Sequence, residues 1–358
     1  MKRRKQNISL KKAFLVPLTE DDSDQKKLVT TRSSFYEGKR VLVTGSGFVG
    51  SQLVEKLAKE KDITIKIVSK AGPSEFIQRL KKMYSVEFVK GDLTDLQTCL
   101  YVTKEIEYIF HTAGVVRNAL YNLSHPGTML SRNLLINTNM LEAARLSTVE
   151  RYQFVSSAAG YPVNAPVPYK EESFFNGEIE PSKSSYGWSK RIGEMLAYSY
   201  FKEFGMKISI VRPFSTYGPF GNFERERSNA IAFLIRNAVN KINPFVIWGD
   251  GSERRAYIFI SDLINGMLNA MEKMSTPDPI NLGSDEEISI GELSMLILKL
   301  SNFEDAKIVY DKSKPKGQSR LSANTQKAMK LTGFVPQIKL KEGLKNTIEW
   351  YRIETLRN

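Results

Sequence analysis

Residues 40–57 read RVLVTGSGFVGSQLVEKL. Val41-Leu42-Val43 is a short apolar run with β-branched ends, the pattern of a strand buried on both faces. Gly45, Gly47 and Gly50 follow as G-x-G-x-x-G, and from Leu53 to Leu57 the apolar spacing turns helical. Strand, glycine turn and helix in that order are what a dinucleotide pyrophosphate requires. Its charge docks on the first turn of a helix, where backbone N–H groups are unpaired and the macrodipole is positive. Gly45 permits the tight turn, Gly47 the approach of the phosphates and Gly50 the close packing of helix on strand. The loop Gly45-Ser46-Gly47-Phe48-Val49-Gly50 is therefore a candidate cofactor cradle. An ordinary β-turn-α crossover is the alternative, and the rest of the chain must decide between them.

Downstream, Ile63 to Val68 reads as a second strand that ends in Ser69-Lys70, with no acid. An acid there would bond the ribose hydroxyls of NAD, whereas a cation accommodates the 2′-phosphate of NADP, so this end leans toward NADP. Val86 to Val89 is a third strand, followed by Gly91-Asp92-Leu93. Asp92 either caps the next helix or faces the adenine. Tyr108 to His111 is a fourth strand running into Thr112-Ala113-Gly114, small residues that let a dinucleotide lie against the backbone. His111 reads as structural. A helical stretch through Leu134 to Arg145 leads to a fifth strand, Tyr152 to Val155, and then Ser156-Ser157. Strands alternating with helices at this spacing predict a parallel, doubly wound α/β sheet.

The bulk properties narrow the function classes. At 358 residues, with 41% hydrophobic and 25% charged residues, the chain has the composition of a globular protein with a large core. Cys99 stands alone and only His111 and His125 accompany it, so no intrachain disulfide forms and a zinc site is not expected. A lone thiol points to a reducing, cytoplasmic setting. The net charge of +13 is scattered rather than clustered, apart from Lys2-Arg3-Arg4-Lys5. That suits a phosphorylated substrate better than nucleic acid. No run approaches the ~18 apolar residues of a membrane span. Residues 1–36 open basic and turn acidic through Glu20-Asp21-Asp22-Ser23-Asp24, and are expected to form a flexible arm.

The reacting groups are sought at strand ends. Ser157 lies just past one, where α/β sheets present ligands. Tyr186-Gly187-Trp188-Ser189-Lys190 then opens a helical run, and Tyr186 and Lys190, four apart, share a helix face. A tyrosine of ordinary pKa, about 10, is a poor acid–base group at neutral pH. A nearby ammonium and an oxidised nicotinamide would stabilise its phenolate, and Ser157 would hold the same substrate oxygen. Taken alone, the Tyr-x-x-x-Lys pattern also fits a surface amphipathic helix.

These motifs together resemble the extended short-chain dehydrogenase/reductase family, the NAD-dependent nucleotide-sugar epimerases, dehydratases and ketoreductases. The likeness runs from about Lys39 to Tyr351. It includes Val211-Arg212-Pro213-Phe214…Tyr217-Gly218-Pro219, Trp248-Gly249-Asp250-Gly251…Arg254-Arg255, Ile280-Asn281-Leu282-Gly283 and Gly333-Phe334-Val335-Pro336. The resemblance implies a Rossmann-like doubly wound parallel sheet with a smaller, discontinuous C-terminal substrate domain. The expected division is residues 37–214 plus 256–271 for the cofactor half and 215–255 plus 272–358 for the substrate half. It further implies Ser157, Tyr186 and Lys190 as the catalytic group, Asp92, Leu93, Thr112, Ala113 and the backbone at Pro213 along the cofactor, and Ser215, Asn222, Trp248 and Arg255 at the substrate, with Arg255 on the diphosphate. A homodimer through helices near Leu134 and Tyr186 is implied as well.

Several positions depart from the family pattern. The glycine loop is one residue shorter than the usual G-x-x-G-x-x-G. Ala158-Ala159 stand where 4,6-dehydratases carry an acidic pair, which argues against dehydration. Asn133 to Arg145, Pro162 after Tyr161, and Pro315-Lys316-Gly317-Gln318 are most similar to the GDP-fucose synthases and GDP-mannose 3,5-epimerases. In those, a cysteine at the Ala159 position and a second acid–base residue, a histidine in the synthases, at the Asn229 position invert carbons beside a ketone. Neither alanine nor asparagine can abstract a carbon-bound proton. What remains is hydride transfer at a sugar carbinol, most simply C4, by an NAD(P)-dependent epimerase or an NADPH-dependent 4-ketoreductase, with epimerase the expectation. A non-catalytic dinucleotide sensor or RNA-associated protein is the reading from outside enzymology.

Overall fold

The computed structural model describes residues 35–224, 229–313 and 318–356. In chain order it forms β1 (Arg40–Thr44), α1 (Phe48–Leu57), β2 (Thr64–Ser69), α2 (Glu75–Met83), β3 (Val86–Lys90), α3 (Leu96–Thr103) and β4 (Tyr108–His111). Then come α4 (Ala119–Ser124), α5 (Pro126–Leu146), β5 (Arg151–Val155), α6 (Ser184–Phe204), β6 (Ile208–Pro213), β7 (Thr216–Tyr217), α7 (Ala230–Val239), β8 (Phe245–Trp248), β9 (Arg254–Ala256) and β10 (Ile258–Phe259). The chain ends with α8 (Ile260–Lys273), β11 (Ile280–Leu282), β12 (Glu287–Ser289), α9 (Ile290–Leu300), β13 (Ile308–Asp311), β14 (Arg320–Leu321), α10 (Gln326–Thr332) and α11 (Leu340–Thr355).

Seven strands form one parallel sheet in the order β11-β6-β5-β4-β1-β2-β3. Alternation along each strand divides its side chains between two cores. Val41, Val43, Ile65 and Ile67 face the layer holding Leu53 of α1, Ile77 of α2 and Met267 of α8. Leu42, Val68, Ile109 and Ile210 face the layer holding Val102 of α3, Met140 of α5 and Ala197 of α6. This is the doubly wound sheet expected from the strand spacing. The order reverses between β1 and β4, so their carboxyl ends open a crevice at the switch point. Small ribbons, β12-β9-β14, β13-β8 and β10-β7, make up the remaining strand pairs.

Two boundaries differ from the expectation. The arm predicted over residues 1–36 falls almost wholly outside the described residues, as does Pro315-Lys316-Gly317, but Phe35 and Tyr36 belong to the core. Tyr36 is fully buried and donates its hydroxyl hydrogen to the Leu268 carbonyl at 2.9 Å, while Phe35 stacks on Tyr108. The second difference is β11. Residues 280–282 were assigned to the smaller half, yet they pair with β6 and complete the large sheet.

Beneath the carboxyl end of β5 lies a fully buried ion pair. Arg212 of β6 donates to both oxygens of Glu194 on α6, at 2.9 and 2.7 Å. The pair is sealed by neighbours on every side. Ser156 donates to Glu194, while Arg212 also donates to the Tyr161 hydroxyl at 3.0 Å and the Glu171 carbonyl at 2.9 Å. The guanidinium lies 3.7 Å from the Phe174 ring centroid. Removing one charge strands the other without water. Glu194→Ala is expected to cost about 3–5 kcal/mol, read as a shift in the urea midpoint, whereas a loss under about 1 kcal/mol would show that the pair is solvated.

Candidate active site

The glycine turn forms for reasons visible in its backbone. Gly45 adopts φ +86°, and a Cβ there would stand 3.1 Å from the Ala113 Cα. A Cβ at Gly50 would lie 2.0 Å from the Gly45 carbonyl oxygen, a backbone clash with no flexible escape. At Gly47 the same atom would meet nothing within 4 Å. Gly47 is also the N-cap of α1, and no side chain caps that helix. Open space in front of an uncapped helix N-terminus at the switch point fits a pyrophosphate. Thr112 and Ala113 line the opposite side, with Thr112 donating to the Thr44 carbonyl and the Thr44 hydroxyl accepting from Ala113 N–H.

At the adenosine end the structure adds a partner that spacing did not show. Lys70 bonds Asp92 at 2.6 Å, and Asp92 also accepts from the Thr94 amide and hydroxyl. Asp92 is held below the usual carboxylate range, Lys70 being the first cause. The helix-capping role belongs instead to Asp95, which accepts from Gln97 and Thr98. The cation at the end of β2 is thus already neutralised in the free protein, which weakens its value as a marker of NADP.

Ser157, Tyr186 and Lys190 come together past the end of β5. The Ser157 hydroxyl caps the short 3-10 turn Ala158–Gly160 by accepting from Ala159 N–H at 3.1 Å, and it bonds the Tyr186 phenol. Lys190 is buried and donates to the Val155 carbonyl at 2.7 Å, with its ammonium 5.6 Å from the Tyr186 ring centroid. Lys190 was expected to pull the phenol toward neutrality, and in the protein alone it does not. Burial pushes Tyr186 up to about 12, against the Ser157 bond, although the ring keeps a solvent-facing side that limits the shift. Burial also draws Lys190 down to about 8, opposed by Glu194. Desolvation outweighs the ammonium because that group is directed at a backbone carbonyl. Without ligand, then, the tyrosine is a neutral proton donor.

A chain of hydrogen bonds behind the site escaped sequence reasoning. The Thr44 hydroxyl bonds His111 Nδ1 at 3.0 Å, His111 Nε2 bonds Asn137 Oδ1 at 3.1 Å, and the Asn137 amide donates to the Ser189 carbonyl at 3.3 Å. It ties the strand before the glycine turn to the helix carrying the tyrosine. Asn133 likewise holds the turn at Val115, accepting from its N–H at 2.8 Å and donating to its carbonyl at 3.1 Å. Polar residues inside a helical apolar pattern, Asn133 and Asn137, were the available signal.

The substrate-side candidates do not gather equally. Asn222 shares a small cavity with Phe48 of the glycine loop, Tyr217 and Asn229, so the two halves meet there. Asn229 caps α7, accepting from Ala232 N–H at 3.0 Å. Ser215 is half-buried and its carbonyl accepts from Ile258 N–H. Trp248 sits on β8 with its ring 5.8 Å from Phe233. Arg255 is on β9, half-buried, and donates to the Arg254 carbonyl at 2.8 Å.

Comparison with known proteins agrees with this geometry. Residues 41–283 match the model of the NAD dependent epimerase/dehydratase family. A GDP-mannose 3,5-epimerase of Oryza sativa is 33% identical over 323 residues, covering 88% of this chain and 82% of the relative. The solved structure of an epimerase from Methanothermobacter thermautotrophicus superimposes with a TM-score of 0.82 at 30% identity, covering 92% of this chain and 97% of that one. A Thermotoga maritima UDP-glucose 4-epimerase with UDP-glucose gives 0.79 at 26% identity, covering 88% and 99%.

The His111 chain yields a pH prediction. Burial pulls its imidazole from 6.5 down to about 3, helped by the Lys190 charge. The unfolded state therefore takes up a proton that the folded state refuses. Its stabilisation is complete above about pH 6.5 and is lost as pH falls toward 3, by about 1.4 kcal/mol per pH unit at most. Urea unfolding between pH 7 and 4 should show this slope, and His111→Phe should flatten it.

Proposed function

The chain belongs to the NAD dependent epimerase/dehydratase family, and we propose that within it the protein epimerises a nucleotide-diphosphate sugar at a carbinol carbon, C4 of the hexose. The observation that carries this reading is the meeting of Ser157, Tyr186 and Lys190 beside an open glycine turn, with no second acid–base residue at the two positions where one would be needed. Ala159 has no titratable group, and the Asn229 side chain is committed to capping α7.

The glycine turn, Asp92, Leu93, Thr112, Ala113 and the backbone at Pro213 would hold NAD or NADP, which would accept and return hydride at the sugar carbon. Ser157 and Tyr186 hold the carbinol oxygen between their hydroxyls, and Tyr186 moves its proton. Lys190, fixed on the Val155 carbonyl, stands beside the buried phenol, and the positive charge of an oxidised nicotinamide would favour the ionised form when a proton must be taken. Rotation of the keto-sugar in the pocket exposes its other face, where hydride would return to the carbonyl carbon while Tyr186 gives the proton back to the oxygen. A dehydratase would also need an acid beside Ser157, where Ala158 and Ala159 stand. The second reading, an NADPH-dependent 4-ketoreductase, uses the same three residues once and is favoured by the lack of an acid at the end of β2.

The assembly proposed is a homodimer through α5 and α6, where Leu135, Trp188, Met195 and Tyr198 are exposed. Among the described residues no helix is long and apolar enough to cross a membrane. A cytoplasmic setting is proposed from the single thiol, which burial pushes up to about 12.

The purified protein should release stoichiometric oxidised NAD on denaturation, identified by mass spectrometry. An empty site that prefers NADPH over NADH would replace the epimerase with the reductase, and binding of neither would remove both. Tyr186→Phe should lower turnover by about 10²–10⁴-fold while leaving cofactor affinity within a few-fold. Met195→Glu should convert a dimer to a monomer in sedimentation.

A further inference from the structure

The loop after β7 carries a strained aromatic residue between two glycines. Phe220 adopts φ +63°, a conformation that a bulky side chain rarely takes. Gly218 and Gly221 flank it, and the Gly221 N–H donates to the Gly218 carbonyl at 3.2 Å. A glycine at position 220 would take the same backbone without strain, so the strain is offset by what the ring does.

That ring reaches across the fold. It stacks on Phe76 with centroids 4.1 Å and planes 26° apart, and both rings are half-buried. Phe76 lies in the first turn of α2, six residues past Lys70 and so at the adenosine end of the crevice. On its other side Phe220 meets Trp350 of α11 at 5.0 Å. Trp350 meets Phe223 at 5.6 Å, and Phe223 stacks on Tyr351 at 4.5 Å. Arg236 of α7 anchors the same end, donating to the Phe223 carbonyl at 3.1 Å. Between these two attachments the loop runs against the glycine turn. Phe48, Gly221, Asn222 and Phe223 line a cavity of about 20 Å³ there, room for about one water. A strained loop with glycines beside the strain, anchored on α11 and held to α2 by a ring stack, has two positions available to it.

We propose that residues 218–223 form a strap that retains the dinucleotide, latched by the stack of Phe220 on Phe76, and that cofactor exchanges at the rate at which this latch opens. The proposal rests on the cofactor reading above and deepens it. The Gly47 side of the turn is open for phosphates, and the strap walls its Phe48 side. Phe220 acts through Phe76 and the loop, which makes it a positioning residue. Slow exchange suits an epimerase, in which hydride returns to the sugar that supplied it, whereas a reductase must release oxidised cofactor at every turnover.

The test uses the full chain with NADH and NADPH as fluorescent probes in stopped flow, for the parent and for Phe220→Gly, Phe76→Leu and Phe76→Tyr. In the parent, the observed association rate should rise with cofactor concentration to a ceiling, the opening rate of the latch. Phe220→Gly removes ring and strain together, and should raise both that ceiling and the release of bound probe about 3- to 10-fold. Phe76→Leu leaves the loop's own sequence intact and should raise both in the same direction, while Phe76→Tyr keeps the stack and should keep the parent's rates. A loss of stability alone would not raise the ceiling. Parent association that grows in proportion to concentration without a ceiling, or a ceiling and release rate left unchanged by Phe220→Gly and Phe76→Leu, overturns the inference alone. A parent that binds neither probe overturns the proposed function and the inference with it.

Discussion

The buried pair of Glu194 and Arg212 is the interaction on which the site's geometry depends. It joins α6, which carries Tyr186 and Lys190, to β6, which ends at Pro213, and it bonds Ser156, the neighbour of Ser157. Through Tyr161 and Asn281 the same network reaches β11, and through the Glu171 carbonyl it reaches the loop crossing the sheet end. A desolvated ion pair is a costly way to join elements, and a well-packed apolar contact would often be as stable. Its directional bonds set rotation and height, which apolar packing leaves freer. The proposed chemistry, in which a phenol, a hydroxyl and an ammonium share one proton path, would require that precision.

A second fixed chain, Thr44–His111–Asn137–Ser189, performs the same service from the other side. It runs through an imidazole that burial keeps neutral. Tyr186 is therefore held between two polar networks in a partly dry environment. That dryness raises its pKa and lowers that of Lys190, the reverse of what the helix-face pairing alone would suggest. The protein by itself prepares a proton donor, and any shift toward the phenolate must come with positive charge brought in by what binds.

Two positions bear on the proposed chemistry. Ala159 has no acid–base group, and Asn229 is committed to capping a helix. The reading proposed above, chemistry confined to one carbinol, rests on these two positions.

The parts legible from residue order alone are those whose physics is local. A β-branched strand, a turn needing φ +86° at Gly45 and a helix starting at an uncapped Gly47 are specified within about twenty residues. So are the strand end at Ser157 and the Tyr186–Lys190 face. Tertiary structure alone decided the rest, because the partners are far apart in the chain. Tyr36 is fixed by Leu268, Lys70 by Asp92, Glu194 by Arg212, and residues 280–282 enter the large sheet only because β6 leaves its edge open. The direction of the Tyr186 and Lys190 shifts belongs to this second class. Desolvation is a sum over everything packed around a group, and no spacing of residues records it.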